Sequence, residues 1–156
     1  MEKLKEHLLE LLTGESAHVN FESAVKDVPA AIRGKRPKGA EHSPWEILEH
    51  LRIAQWDILE FARDPKHVSP EFPAGYWPKS QTPPDDAAWD KSVKAFRHDR
   101  AALAALVKES KDPLAPIPHA GGKTLLREVL LAADHNAYHL GQLVQLRRLL
   151  GGWSAS

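Results

Sequence analysis

The segment "TLLREVLLAADHNAYHLGQLVQLRRLL", residues 124–150, restricts the possible folds of this chain more than any other stretch. On a helical wheel its polar arc is narrow: Arg127, Asp134, Tyr138, Gly141 and Gln145. Leucine, alanine and valine fill almost everything else. A helix that is apolar nearly all round must be covered by other elements, so it belongs in the centre of a bundle. Thr124 is placed to cap its start, and "GG" at 151–152 to stop it.

The rest of the chain supplies the partners. Residues 2–13 carry Leu4, Leu8, Leu11 and Leu12 at helical spacing, and Gly14 ends that run. "NFESAVKDVP" (20–29) contains a short turn of helix, and "RGKRPKG" (33–39) reads as loop. In "SPWE", Ser43 is a candidate N-cap, Pro44 takes the first helical position and Glu46 completes a capping box. The helix it opens runs to about Arg63. Residues 85–109 place Trp89, Val93, Phe96, Arg100, Leu103 and Val107 on one stripe. There is no period-two strand pattern and no internal repeat. The fold expected is all-α: a four-helix bundle forming one domain over 1–156, with long proline-rich connections and open connectivity.

Two connections stand out. "DPKHVSPEFPAGYWPKSQTPP" (64–84) is too rich in proline for a helix interior. Loops of this length in a compact domain tend to be functional or disordered. Phe72, Tyr76 and Trp77 imply that this one packs onto the bundle, where Tyr76 and Trp77 could cover a pocket. The second connection, "KDPLAPIPHAGG", leads into the last helix.

Composition removes several classes of function. Lysine plus arginine balance aspartate plus glutamate at 21 each, which gives no footing for nucleic acid or an anionic membrane. Cysteine is absent, so disulfides, thiolate metal sites and a cysteine nucleophile are excluded; the absence fits a reducing, cytoplasmic setting. "MEKLKEHLLELL" lacks the apolar run and cleavage site of a signal peptide. No apolar run approaches the ~18 residues that span a bilayer. "GGKT" (121–124) resembles the end of a phosphate-binding loop, but Ile117 stands where the pattern needs glycine and no strand precedes it. "GESAH" (14–18) lacks the second glycine of a nucleophile elbow.

The chemistry lies with the histidines. His135 and His139 are four apart, so on a helix both imidazoles reach one point. Nine histidines in 156 residues give about 0.5 such pairs by chance, so spacing alone is weak evidence. Position adds to it: both lie outside the polar arc, flanked by Leu131, Ala132, Leu143 and Leu146, with Glu128 and Gln142 on their own strip. Two buried imidazoles need partners, because an unpaired buried polar group costs a few kcal/mol. A shared cation meets that need, and so do Glu128, Gln142 or a water. A third ligand must come from another helix. His18, His42, His67 and His119 fall in loops or before a cap, His98 faces outward and His7 sits on the terminal helix. His50 borders the apolar arc of its helix, with Asp57 and Glu46 as rivals.

The ordered combination of "HSPWEILEHLRIAQWDIL", the "GYWP" loop and "DHNAYHLGQLVQLRRLLG" resembles the DinB-like superfamily of four-helix bundle metalloproteins, over nearly the whole chain. The resemblance implies one divalent metal ion held by His50, His135 and His139. It also implies fold relatives that include thiol-dependent S-transferases, a mycothiol-using maleylpyruvate isomerase and a domain in ergothioneine assembly. Family relatives often form homodimers. No thiol-recognition motif can be matched here.

The expected function is therefore a metal-dependent transferase or hydrolase acting on a small molecule, with an external low-molecular-weight thiol as a conceivable cosubstrate. The competing expectations are a non-catalytic metal-binding, ligand-binding or stress-related module, and a bland helical domain. Zinc, nickel, iron and cobalt all suit imidazole ligands. Glu46, Asp57 and Gln142 are the further site candidates. Glu46 and Asp57 could orient an imidazole or act as base, and Gln142 could donate a hydrogen bond to a bound ligand. Alternatively, the cap accounts for Glu46, and Asp57 pairs with Arg52 or Arg97.

Overall fold

The computed structural model describes residues 1–14 and 17–153; Ser16 of the "GESAH" segment lies outside them. Among the described residues five α-helices form: α1 (Glu2–Thr13), α2 (Phe21–Val25), α3 (Pro44–Arg63), α4 (Asp86–Glu109) and α5 (Leu125–Leu149). The described residues contain no strand. The chain is thus an all-α bundle, with α2 as a short addition to four long helices.

Local chemistry sets the helix ends. At α3 the capping box is complete: the Glu46 amide donates to Ser43 Oγ at 3.2 Å, and the Ser43 amide donates to Glu46 Oε2 at 2.8 Å. The Asp85 carboxylate accepts from the Ala88 amide at the start of α4, and Thr124 Oγ1 from the Arg127 amide at the start of α5. Residues 121–124 therefore form a turn and a helix cap, and no phosphate loop. Gly14 (φ 69°) and Gly151 (φ 72°) adopt the left-handed conformation that ends α1 and α5, which glycine enters without steric cost.

Packing settles the connectivity that the loop lengths left open. α3 lies against α4 and α5, and α1 against the same two, so the ring order is α1, α4, α3, α5. Two apolar clusters fill the interior. One gathers Phe21, Ile47, Leu48, Leu51, Phe96, Leu140 and Leu143; the other gathers Leu8, Leu12, Leu59, Leu103, Val107 and Val129. Burying each such leucine contributes about 1.5–3 kcal/mol. Along α3 and α5 the clusters are separated by a buried polar pair, where Asn136 Nδ2 donates to Gln55 Oε1 at 3.0 Å.

Two expectations need correction. α5 is not enclosed on every side: Leu130, Leu131 and Leu149 are exposed, because the ring of four helices leaves each one an outer strip. The 64–84 loop does pack onto the bundle through Tyr76 and Trp77, but Phe72 is 85% exposed. No helix is long and apolar enough to cross a membrane among the described residues.

Candidate metal centre

The packing of α3 against α5 brings three histidines together. His50 Nε2 lies 3.0 Å from His139 Nε2 and 3.0 Å from His135 Nε2. One ligand atom from each falls within 4.8 Å of the other two. His50 and His139 are 8% exposed and His135 is half-buried. His7, exposed and beside Glu10, and His98, also exposed, lie apart from the group.

The outer nitrogens explain why the inner ones are bare. His50 Nδ1 donates to the Tyr76 backbone carbonyl at 2.8 Å, and His139 Nδ1 donates to Gln142 Oε1 at 2.7 Å. A neutral imidazole carries one N–H, so both rings turn a lone pair inward at Nε2. Two bare lone pairs 3.0 Å apart repel, and only a proton or a cation between them relieves this. Protons are disfavoured. Burial, then the neighbouring rings of His139 and His50, push His135 down to about 3. Burial, then His50, pushes His139 down to about 4. Burial also lowers His50, against the raising effect of the Tyr76 carbonyl. The observed spacing is close to the ~3.3 Å between nitrogen ligands on a tetrahedral ion with bonds of about 2.0–2.1 Å. The donor set therefore fits a transition-metal dication, and the group could hold one. In addition, His135 Nδ1 is buried without a hydrogen-bond partner.

A cavity of about 400 Å³ opens beside the three rings. Ala54 and Ile58 of α3, Leu131 of α5, and Phe72, Pro73, Tyr76 and Trp77 of the loop form its walls. Trp77 stacks flat on His50, with ring centroids 3.9 Å apart and an interplanar angle of 2°. Its other face stacks on His42 at 3.8 Å. Behind this stack a separate cleft of about 560 Å³ runs between residues 38–42 and the second half of α5.

The other candidates sort as follows. Asp57 lines the cavity, but with neither arginine expected for it. Arg52 pairs with Glu49 and Arg97 with Glu22, both nearer in the folded chain. Asp57 instead accepts from Tyr76 Oη at 2.6 Å and is 2.7 Å from His67 Nε2. Burial, then the carboxylate, raises the Tyr76 phenol to about 12, so it stays a donor. Glu46 is not in the cavity wall; the cap and Arg36 occupy its carboxylate. Gln142 Oε1 accepts from His139 Nδ1, so its carbonyl serves an imidazole, and its Nε2 is the group that would donate to a bound ligand. Glu128, 1% exposed, pairs with Arg127 and takes no part.

Sequence reasoning missed Tyr76 as an acceptor for His50, Trp77 and His42 as a stack on it, and His67 as the partner of Asp57. The aromatic content of "GYWP" was the one available signal.

An all-helical bundle presenting three inward imidazoles on two facing helices defines a class of candidate metal-binding proteins. The family model of the DinB superfamily matches residues 14–143, and the chain belongs to that superfamily. No curated protein and no solved structure matches the chain.

Proposed function

We propose that the protein holds one divalent metal ion on His50, His135 and His139 and acts as a metal-dependent transferase or hydrolase on a small molecule. The observation that carries this reading is the convergence of three Nε2 atoms at the wall of a cavity, two of them left with inward lone pairs by the hydrogen bonds at Nδ1. Zinc, nickel, iron and cobalt suit such a donor set. When bound, the ion would supply Lewis-acid polarisation of a carbonyl, or a lowered pKa for a water or a thiol.

The chain's own residues do the rest. The Tyr76 carbonyl and Gln142 fix the tautomers of His50 and His139, as partners of metal-ligating histidines generally do. Trp77 and the aliphatic wall keep water from one side of the rings. Asp57, two helical turns from His50 in the same cavity wall, is held by Tyr76 Oη and His67 and keeps acceptor capacity for the far end of a bound molecule. With no cysteine in the chain, a thiol nucleophile would enter as a low-molecular-weight cosubstrate.

Elemental analysis of untagged protein tests the ligands. About one equivalent of a transition metal is expected in the wild type, with loss in His50→Ala, His135→Ala and His139→Ala. Full stoichiometry in His135→Ala would sink the assignment. Saturable turnover of a thiol with an electrophile, abolished by EDTA, is the result expected of an enzyme; metal binding without turnover would leave a non-catalytic binding module.

A further inference from the structure

We infer that the cavity beside the three histidines selects its ligand by charge: it takes an apolar molecule whose far end is cationic or uncharged, and rejects one whose far end is anionic. This rests on the metal reading above, which supplies the anchor at the near end.

The lining is aliphatic and aromatic, and among the described residues no lysine or arginine contributes to it. The carboxylate in the wall belongs to Asp57. It lies two helical turns beyond His50 on the same face of α3, ~10 Å along the axis. Each of its oxygens has one partner, Tyr76 Oη or His67 Nε2, which leaves acceptor capacity on both. Tyr76 brings no charge. His67 at most cancels the carboxylate, so this end of the cavity is negative or neutral and never positive. Arg52, Arg63 and Arg127 are paired with Glu49, Glu60 and Glu128, and none of the three lines the cavity.

An anionic tail would therefore lose hydration against apolar walls and meet a carboxylate without a counter-ion, which is costly. A cationic tail gains a charge-assisted hydrogen bond to Asp57. A hydroxyl tail can donate to the same oxygens. A cavity of about 400 Å³ lies within the range that holds a small organic molecule.

The test uses cobalt-loaded protein and three benzyl mercaptans that differ only in the para substituent: aminomethyl, hydroxymethyl or carboxyl. Thiolate binding is read from sulfur-to-cobalt charge-transfer absorption. The aminomethyl and hydroxymethyl thiols are expected to bind at least tenfold more tightly than the carboxyl thiol. Asp57→Asn should narrow that gap. Leu131→Lys, at an exposed position in the cavity lining, should tighten the carboxyl thiol severalfold without disturbing the Asp57 cluster. Equal affinities for all three in the wild type, or tightest binding of the carboxyl thiol, overturns the inference. So does a gap that neither variant changes. Wild-type protein that shows no cobalt d–d bands before any thiol is added overturns the metal reading and this inference with it; normal bands with no discrimination overturn this inference alone.

Discussion

Gln142→Leu removes one hydrogen bond and keeps the side chain's bulk. In the wild type Gln142 Oε1 accepts from His139 Nδ1 at 2.7 Å, and this contact holds the proton on the outer nitrogen. Without it the ring has two options. It can keep Nδ1–H without an acceptor, at a cost of about 1–3 kcal/mol. Or it can move the proton to Nε2, which removes the lone pair that a cation needs. Either way the metal-competent form becomes less favourable by about 1.4–2.7 kcal/mol, a 10- to 100-fold loss of affinity. Competition against a chromogenic chelator measures this directly with zinc. Gln142→Glu is the sign control: a carboxylate is the stronger acceptor, so affinity should equal or exceed that of the wild type. A leucine variant within twofold of wild type would refute the idea that Gln142 sets the tautomer, and so would equal losses in both variants.

Ser43→Ala strips the cap from α3 and the bond from Ser43 Oγ to the Gln81 carbonyl; urea unfolding should show a loss of about 1–2 kcal/mol with metal content unchanged. Leu51→Ala, at a position with 0% exposure, should cost about 2–5 kcal/mol in the same assay. Metal-free protein should lose stability as pH falls below about 6.5, the value for an unperturbed histidine. The unfolded chain takes up protons there, whereas His139 and His135 resist them down to about 4 and about 3. Stability is then complete above 6.5 and declines toward the folded values, by at most about 1.4 kcal/mol per histidine per pH unit. A urea midpoint that is flat from pH 7 to 5 would contradict this, and replacing His135 and His139 together should weaken the slope, leaving the share of His50.

Features that depend on neighbours in sequence were legible. "SPWE" places the start of α3 because a capping box is closed by residues three apart, and the helix begins at Pro44 as read. His135 and His139 share a face because helical geometry fixes the relation of i to i+4. Tertiary partners were not legible. Asp57 was weighed against Arg52 and Arg97, yet its partners arrive from a loop without periodicity, and nothing in the spacing of His67 or Tyr76 encodes where that loop folds back. The wheel likewise placed His50 at an edge, since no wheel shows the Trp77 ring that closes over it. Gln142 was recognised as lying on the histidine strip, but the direction of its hydrogen bond is a matter of rotamer, which sequence does not carry.

Tyr76 meets the site twice, once through its backbone carbonyl at His50 and once through its hydroxyl at Asp57. Both ends of the chamber are thereby moored to a single residue of the connection between α3 and α4. Loss of the phenol at Tyr76 would free Asp57 and unpin the turn whose backbone carbonyl meets His50, whereas Phe72, four residues earlier and open to water, carries no such double duty. Any retuning of what enters is thus steered toward the Phe72 rim, leaving the mooring point fixed.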